Sequence, residues 1–257
     1  MSTSNASGMA TASPRAPTVA KEALKSSGLV MVGTSNYNAW QFEQFQAHVG
    51  RTVLEIGCGV GNLTGYLVRH ADRVVSIDVK PQAVAYTRQR FADEPRLTVE
   101  QRDIFADGLG PHAQAPFDTI LFCNVLEHIM DDASAMAACH QILAPTRGKL
   151  LLLVPANAFL YGTIDEEVGH VRRYSANQIR ALAAQGWKIH KLYPFNLIGA
   201  LGWWANYCLL RRRGTNADES STQTGFYDRW LVKPGRWWER RLPIPFGISY
   251  IAILEAI

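Results

Sequence analysis

The chain has 257 residues, a formal net charge of +4 at pH 7 and an isoelectric point of about 8.9. This length accommodates one large α/β domain but is short for two full domains. The mild positive charge is spread along the chain, so it gives no argument for nucleic-acid binding. The four cysteines form no C-x-x-C pair, which is typical of reduced thiols and favours a cytoplasmic protein.

The N-terminal segment 1–27 is rich in serine, threonine, alanine and proline. It contains no apolar run long enough for a signal peptide, so we expect a disordered leader before a single domain over 28–257. No later run approaches the roughly 20 apolar residues that a membrane-spanning helix needs.

Apolar runs then alternate with helical segments, which is typical of a parallel sheet covered on both faces. The predicted strands lie at about 51–56, 73–77, 96–101, 117–122, 148–154, 187–193 and 248–254. The predicted helices lie at about 61–70, 81–91, 131–144 and 175–185. The sequence therefore predicts an α/β fold, a Rossmann-like doubly wound sheet of seven mostly parallel strands.

The segment before the first strand, residues 36–48, predicts a helix with Tyr37 and Trp40 on one side. Two roles remain open for these aromatic residues. They cover a bound ligand, where an aromatic ring near a cation gains about 1 kcal/mol, or they pack the helix onto the sheet.

The first strand runs into a glycine turn, with Glu55 two places before Gly57. Three alternate glycines allow the backbone to turn sharply and approach a ligand closely. Asn62 stands where a dinucleotide-binding fingerprint requires its third glycine, which disfavours an NAD-dependent oxidoreductase. Asp78 ends the next strand, where a carboxylate accepts hydrogen bonds from both hydroxyls of a ribose. We therefore expect a ligand that contains a ribose.

These two strand ends resemble the first two motifs of class I S-adenosylmethionine-dependent methyltransferases, through Glu55 to Gly61 and Ser76 to Asp78. Residues 97–105 and 117–129 resemble the third strand and the fourth strand with its turn, in the family's order. The resemblance covers roughly residues 30–195 and implies S-adenosyl-L-methionine as the cofactor. This ligand has no phosphate, which agrees with the lack of lysine and arginine in the glycine turn, and a helix N-terminus can face its carboxylate.

The resemblance also implies a set of cofactor-binding residues, among which Asp103 hydrogen-bonds the adenine amino group. The set comprises Tyr37, Trp40, Glu55, Gly57, Cys58, Gly59, Asn62, Asp78, Val79, Asp103, Ile104 and Asn124.

Two histidines are candidate catalytic residues. His128 lies in the turn after the fourth strand, and His170 resembles the histidine of the family pattern G-H-x-R-R-Y within residues 155–174, which we expect to cross the mouth of the site. Either histidine can serve as a general base toward a substrate hydroxyl. The alternatives are a purely structural role and a divalent metal held by Glu127, His128 and His170.

The metal alternative resembles sites in small-RNA 2′-O-methyltransferases and ubiquinone O-methyltransferases, whose turn reads Glu-x-x-Glu-His. Asn124 replaces the first acid here, and we therefore expect no metal.

An insertion at residues 194–246 separates the last two predicted strands. It holds five of the seven tryptophans together with Arg211 to Arg213 and Arg240 to Arg241. We favour a lid or cap over the substrate site. Peripheral contact with a membrane is an alternative, because tryptophan and arginine suit the interface, and a nucleic-acid contact is the least favoured.

The sequence thus predicts a methyltransferase for a small, largely apolar acceptor, with oxygen as the favoured acceptor atom. Transfer to nitrogen or carbon of a secondary metabolite, and a membrane-surface enzyme for a lipid-like or glycosylated acceptor, are the alternatives. An oxidoreductase and a catalytically silent adaptor are the hypotheses from other classes. No nucleic-acid partner is expected, the oligomeric state is left open, and the favoured location is the cytoplasm, with membrane association as the alternative.

Overall fold

The computed structural model describes residues 34–213 and 225–257. The predicted leader at 1–27 and part of the 194–246 insertion lie outside the described residues. A sheet of seven strands forms the centre of the fold. The strands are β1 Thr52–Ile56, β2 Arg73–Asp78, β3 Leu97–Gln101, β4 Thr119–Cys123, β5 Lys149–Pro155, β6 Trp187–Phe195 and β7 Ser249–Ala256.

The strand order is β3-β2-β1-β4-β5-β7-β6. The first five of these strands are parallel, and β7 lies antiparallel between β5 and β6. The predicted α/β class is confirmed, as are all seven predicted strands to within about two residues. The chain order reverses between β1 and β4, and ligands of open α/β sheets bind beyond the carboxyl ends of strands at such a point.

Helices cover both faces of the sheet, and two connecting stretches adopt π-helical geometry at Trp204–Leu209 and Tyr227–Leu231. The α-helices are α1 Ser35–Phe45, α2 Thr64–His70, α3 Pro81–Arg90, α4 Ile104–Asp107, α5 Asp132–Leu143, α6 Thr163–Val168, α7 Ala176–Ala183, α8 Leu197–Trp203 and α9 Val232–Glu239.

The core lies in two layers because successive residues of a strand face opposite sides of the sheet. Val53 belongs to the layer beneath α1 and α2, which contains Trp40 and Leu67. Its neighbour Leu54 belongs to the layer beneath α5 and α7, which contains Met136. Burial on both faces explains why the strands read as nearly continuous apolar runs.

The helix predicted at 61–70 begins later than expected, at Thr64. Gly61 has a φ of +74°, a left-handed conformation that cannot continue into a right-handed helix. Residues 59–63 therefore form turns between β1 and α2. The predicted start of this helix at residue 61 is therefore wrong by three residues.

The insertion between β6 and β7 is helical where the structure describes it. Its first part is α8 with the π-helical stretch that continues it, and its second part is the π-helical stretch that leads into α9. Within the described residues, no helix has both the length and the apolar character needed to cross a bilayer.

Candidate functional site

The glycine turn after β1 is held against the neighbouring strand ends. The amides of Gly57 and Cys58 donate to the carbonyl of Ile77, at 2.8 and 3.0 Å. Gly57 has a φ of +75°, and a Cβ atom on it would lie 2.3 Å from Cγ2 of Val125. The turns that follow β1 and β4 therefore touch at the reversal of chain order, and only glycine fits there.

We expect Gly57→Ala to destabilise the protein by about 2 to 4 kcal/mol, since the left-handed backbone conformation and the overlap with Val125 both act. The measurement is the free energy of unfolding in urea. The matched control is Gly169→Ala, because Gly169 also has positive φ (78°) but an added Cβ would meet no atom within 4 Å. Equal losses for the two variants would contradict the proposed overlap.

Glu55 is buried in β1 and links three elements. Its Oε2 accepts hydrogen bonds from the hydroxyls of Thr64 on α2 and Ser76 on β2, both at 2.6 Å. Burial raises its pKa to about 7, although the two hydroxyl donors oppose that shift. The structure thus gives Glu55 a role in anchoring the glycine turn, and its predicted contact with a cofactor stays a prediction.

Asp78, at the end of β2, also holds the glycine turn in place. Its carboxylate accepts from the amide of Gly59 at 2.8 Å and from the amide of Lys80 at 2.9 Å. The side chain keeps 8% of its accessible surface, at the carboxyl edge of the sheet. The next residue, Val79, is 58% exposed although it is apolar. The ribose contact of Asp78 and the cofactor contact of Val79 stay predictions.

Three other predicted residues follow the carboxyl ends of β3 and β4. Asp103 is exposed and begins α4, accepting from the amide of Phe105 at 3.0 Å, whereas Ile104 is buried. Asn124 is exposed and has a φ of +55°. Because β2, β3 and β4 are parallel, the side chains after them share one edge of the sheet with the glycine turn.

Two predicted residues belong to this turn. Cys58 is buried, and burial raises the pKa of its thiol above the usual range. Asn62 is half-buried between the last glycine and α2.

Tyr37 and Trp40 lie in the core rather than on an open surface, with 8% and 2% exposure. Both rings pack on Phe195 at the end of β6, with centroid distances of 6.2 and 4.5 Å, and Tyr37 also meets Tyr227 at 6.0 Å. These contacts agree with the alternative in which the two aromatic residues pack α1 onto the sheet. The cofactor contacts of the two residues stay predictions.

A cluster of ionisable residues follows β4, directly after Asn124. Glu127 is fully buried, and neither oxygen of its carboxyl group has a hydrogen-bond partner among the described residues. Burial raises its pKa to about 8, against the smaller effect of the positive charge of Arg173. A buried carboxyl without partners costs free energy, so its presence requires a functional or structural reason.

Two imidazoles complete this cluster. Nε2 of His170 lies 3.6 Å from Oε1 of Glu127, and the rings of His128 and His170 are 4.8 Å apart. One ligand atom from each of Glu127, His128 and His170 lies within 4.8 Å of the others. Burial and the nearby His170 lower the pKa of His128, which favours its neutral form.

The Nδ1 atoms of both imidazoles are engaged away from Glu127. Nδ1 of His170 lies 2.7 Å from Oδ1 of Asp165, and Nδ1 of His128 lies 3.2 Å from the carbonyl of Gly169. Both partners are acceptors, so the neutral rings carry their proton on Nδ1. The lone pair of each Nε2 is thereby free for a proton or a metal.

Asp165 is the buried residue that orients His170. Its carboxylate also accepts from Nε of Arg173 at 3.0 Å and from the amide of Gly162 at 2.9 Å. Burial alone would raise the pKa of Asp165, but the hydrogen bond from His170 and the charge of Arg173 together lower it. The sequence places Asp165 and Arg173 near the site but does not reveal this contact, which depends on the turn after α6.

The comparison with known proteins covers the glycine turn and the turn after β4. Residues 54–150, which begin in β1 and end in β5, match a family model described as a methyltransferase domain. This match covers less than half of the 257 residues.

The chain also resembles curated enzymes in sequence. It is similar to the ubiquinone biosynthesis O-methyltransferase of Pseudomonas paraeruginosa, with 33% identity over 122 residues, which are 46% of this chain and 51% of the relative. The enzyme of the same name from Methylococcus capsulatus is 32% identical over 111 residues, 42% of this chain and 46% of the relative. The chain therefore spans about half the length of the curated relatives it matches.

Solved structures share the fold over most of the chain. The N-methyltransferase NodS from Bradyrhizobium japonicum WM9 in complex with S-adenosyl-L-homocysteine has 17% identity and a TM-score of 0.56, covering 92% of this chain and 98% of NodS. The methyltransferase domain of bacterial CtHen1-C has 13% identity and a TM-score of 0.53, covering 86% and 97%. At these identities the likeness shows the fold alone.

Proposed function

We propose that this chain is an S-adenosylmethionine-dependent methyltransferase that acts on an oxygen atom of a small, largely apolar acceptor. The observation that carries the proposal is the position of the Glu127, His128 and His170 cluster, which follows Asn124 at the reversal of strand order. A group that accepts a proton thus lies beside the edge where a nucleotide-like ligand is expected. The names of the curated relatives, which are O-methyltransferases, support the same acceptor atom.

The residues of the glycine turn suit this cofactor. Asp78 supplies a carboxylate for the ribose hydroxyls, while the turn contains no cation for a phosphate. S-adenosylmethionine carries a methyl group on a positively charged sulfur, so transfer breaks the sulfur–carbon bond and forms a carbon–oxygen bond. Asp103 and Ile104 are proposed to face the adenine, and Asn124 the part of the cofactor beside β4.

The chain's contribution to the chemistry is removal of the acceptor's proton. Nε2 of His170 accepts the hydroxyl proton, and Asp165 stabilises the resulting imidazolium through Nδ1, with which it already makes a 2.7 Å contact. Arg173 keeps Asp165 in place. In this arrangement His170 is the base, while Asp165 and Arg173 are positioning residues.

A divalent cation at the same cluster is a second candidate, favoured by the carboxyl of Glu127 that lacks hydrogen bonds. Glu127, His128 and His170 would hold the ion, and their oxygen and Nε2 donors suit a divalent ion of the first transition series or magnesium. Asp165 and the carbonyl of Gly169 fix both rings through Nδ1, as partners of metal-binding histidines do. A bound ion would supply a Lewis acid for the acceptor hydroxyl.

The proposed function is tested by calorimetric titration of the full chain with S-adenosylmethionine, S-adenosylhomocysteine and NADH. We expect binding of the first two ligands and no binding of NADH. Binding of NADH alone, or of none of the three, would overturn the proposal.

The variant Glu127→Gln distinguishes the two candidate roles of the cluster, a general base at His170 and a metal site. Because the pKa of Glu127 is raised to about 8, its carboxyl is mostly protonated at pH 7, and glutamine resembles that form in size and charge. If His170 acts as a base alone, we expect turnover to fall by less than about threefold, since no charge is lost. If a metal is held, we expect its affinity to fall by about tenfold or more.

The metal affinity is measured directly, by the absorbance of Co²⁺ added to the full chain. The matched control is Glu166→Gln, which removes an exposed carboxylate in α6 that is not a member of the cluster. Wild-type protein that shows no Co²⁺ spectrum, together with turnover that resists EDTA, would remove the metal candidate.

A further inference from the structure

The outward face of the helix that ends in α9 is built from aromatic and cationic residues. Three of its aromatic side chains, Phe226, Trp230 and Trp237, are 58, 61 and 57% exposed. We call this surface the α9 face. Its exposed members are Phe226, Arg229, Trp230, Lys233, Trp237, Trp238 and Arg241.

The acidic residues of this helix point toward the protein. Asp228 is buried and accepts from the amide of Tyr37 at 2.7 Å and from the side chain of Asn36 at 3.1 Å. Glu239 is half-buried and accepts from the amides of Asn196 and Leu197, at 3.0 and 2.8 Å. The acids fasten the helix to the body of the protein, and the α9 face therefore keeps only positive charge.

The cations of the α9 face lack the ion pairs that Arg236 and Arg240 form. Arg236 and Arg240 both form ion pairs with Glu43 of α1. Among the described residues, no ion pair involves Arg229, Lys233 or Arg241. Arg229 and Arg241 instead lie over the rings of Trp230 and Trp237, at 5.7 and 4.3 Å.

The other described part of the insertion, which begins with α8, is also cationic and exposes apolar residues. Residues 196–213 contain no acid, and they end in Arg211 to Arg213. Exposed apolar residues precede these arginines, namely Leu201, Trp204, Leu209 and Leu210. α8 lies beside α9, because a Cβ atom on Gly235 would stand 3.3 Å from Ile198.

This combination indicates a lipid surface. Tryptophan favours the level of the headgroups, arginine and lysine are attracted by anionic lipid, and leucine gains by burial among acyl chains. Nucleic acid fits less well, because the exposed leucines offer no flat ring for a base to stack on. An acidic protein would satisfy the cations, but it would need an apolar surface matched to the same tryptophans.

We propose that the α9 face, together with the exposed apolar residues of α8 and of the π-helical stretch after it, binds the surface of a membrane that contains anionic phospholipid. The helices lie at the level of the headgroups and do not cross the bilayer. This proposal stands on the insertion alone and does not depend on methyl transfer.

The test is co-sedimentation of the full chain with vesicles of phosphatidylcholine, with and without phosphatidylglycerol. We expect binding to the anionic vesicles only, weakened by high salt. The charge variant is Arg229→Gln/Lys233→Gln/Arg241→Gln. Each cation contributes roughly fivefold to the partition coefficient, so the triple variant should bind about 100-fold more weakly. Trp230→Ser/Trp237→Ser should also weaken binding, although its net charge is unchanged.

The matched control is Arg180→Gln/Lys188→Gln/Lys191→Gln, which removes the same charge from exposed positions on α7 and β6. It should bind like the wild type. Absence of vesicle binding, equal binding to neutral and anionic vesicles, or equal losses in the charge variant and its control would overturn the proposal. A dimer in sedimentation equilibrium that Trp230→Ser/Trp237→Ser dissociates, without vesicle binding, would assign the face to a second copy instead.

Discussion

Replacement of His170 by alanine should lower kcat by about 10²- to 10⁴-fold, while the affinity for S-adenosylhomocysteine changes by less than about threefold. The large effect is expected because Nε2 of His170 is the proposed proton acceptor and its Nδ1 is held by a fully buried carboxylate. Methylation of an apolar phenol and calorimetric titration are the two measurements. An exposed histidine on the edge strand β6, His190, provides the control variant His190→Ala, which should retain full activity.

The companion variant His128→Ala distinguishes how the cluster acts. A base at His170 predicts a much smaller loss for His128→Ala, since His128 contacts the carbonyl of Gly169 and not Asp165. A shared metal predicts losses of similar size for both variants. If His170→Ala instead lost thermal stability and activity in parallel, the role of His170 would be structural.

Asp78→Ala should weaken the binding of S-adenosylhomocysteine by about 1.5 to 3 kcal/mol, which is roughly 10- to 150-fold. The loss has two physical sources. The carboxylate is the proposed acceptor for the ribose hydroxyls, and it also holds the amides of Gly59 and Lys80. Isothermal titration calorimetry gives the affinity, and circular dichroism shows whether the fold remains.

Asp78→Asn separates these two sources, because an amide oxygen still accepts one hydrogen bond while the negative charge is gone. We expect its affinity to lie between those of the wild type and Asp78→Ala. The control for charge is Asp93→Ala, at an exposed position after α3. Affinity that is unchanged in Asp78→Ala would remove Asp78 from the binding site.

The sheet could be predicted from the sequence because its strands are buried on both faces. An apolar run such as Lys149 to Pro155 is distinctive when helices flank it, and its limits then follow from the polar residues around it. The start of α7 can also be predicted from the sequence, because serine is a favoured N-cap residue, and in the structure Ser175 forms a capping box with Gln178. Residues that are close together in the sequence decide both the strand and the helix start.

The candidate site could be predicted only as a set of residues, not as a geometry. The alternation of glycines in the turn after β1 does not reveal that Gly61 is left-handed, and the start of α2 was therefore misplaced by three residues. The contact between His170 and Asp165 joins the two ends of α6, and its buried partner Arg173 lies further along the chain. Such contacts depend on tertiary packing, which a single sequence does not encode in any local pattern.

The insertion of 196–248 leaves the sheet and returns to it at one place, because Phe195 and Ser249 are paired residues of β6 and β7. The cost of closing a loop rises only slowly with its length, so segments of very different size can join these two residues. The pairing of β6 with β7 is therefore compatible with insertions of different length, although Val232 of this insertion packs in the same core layer as Val53 of β1. A grafted insertion from another protein of this fold would have to reproduce the contacts that Tyr227 and Asp228 make with Tyr37 of α1.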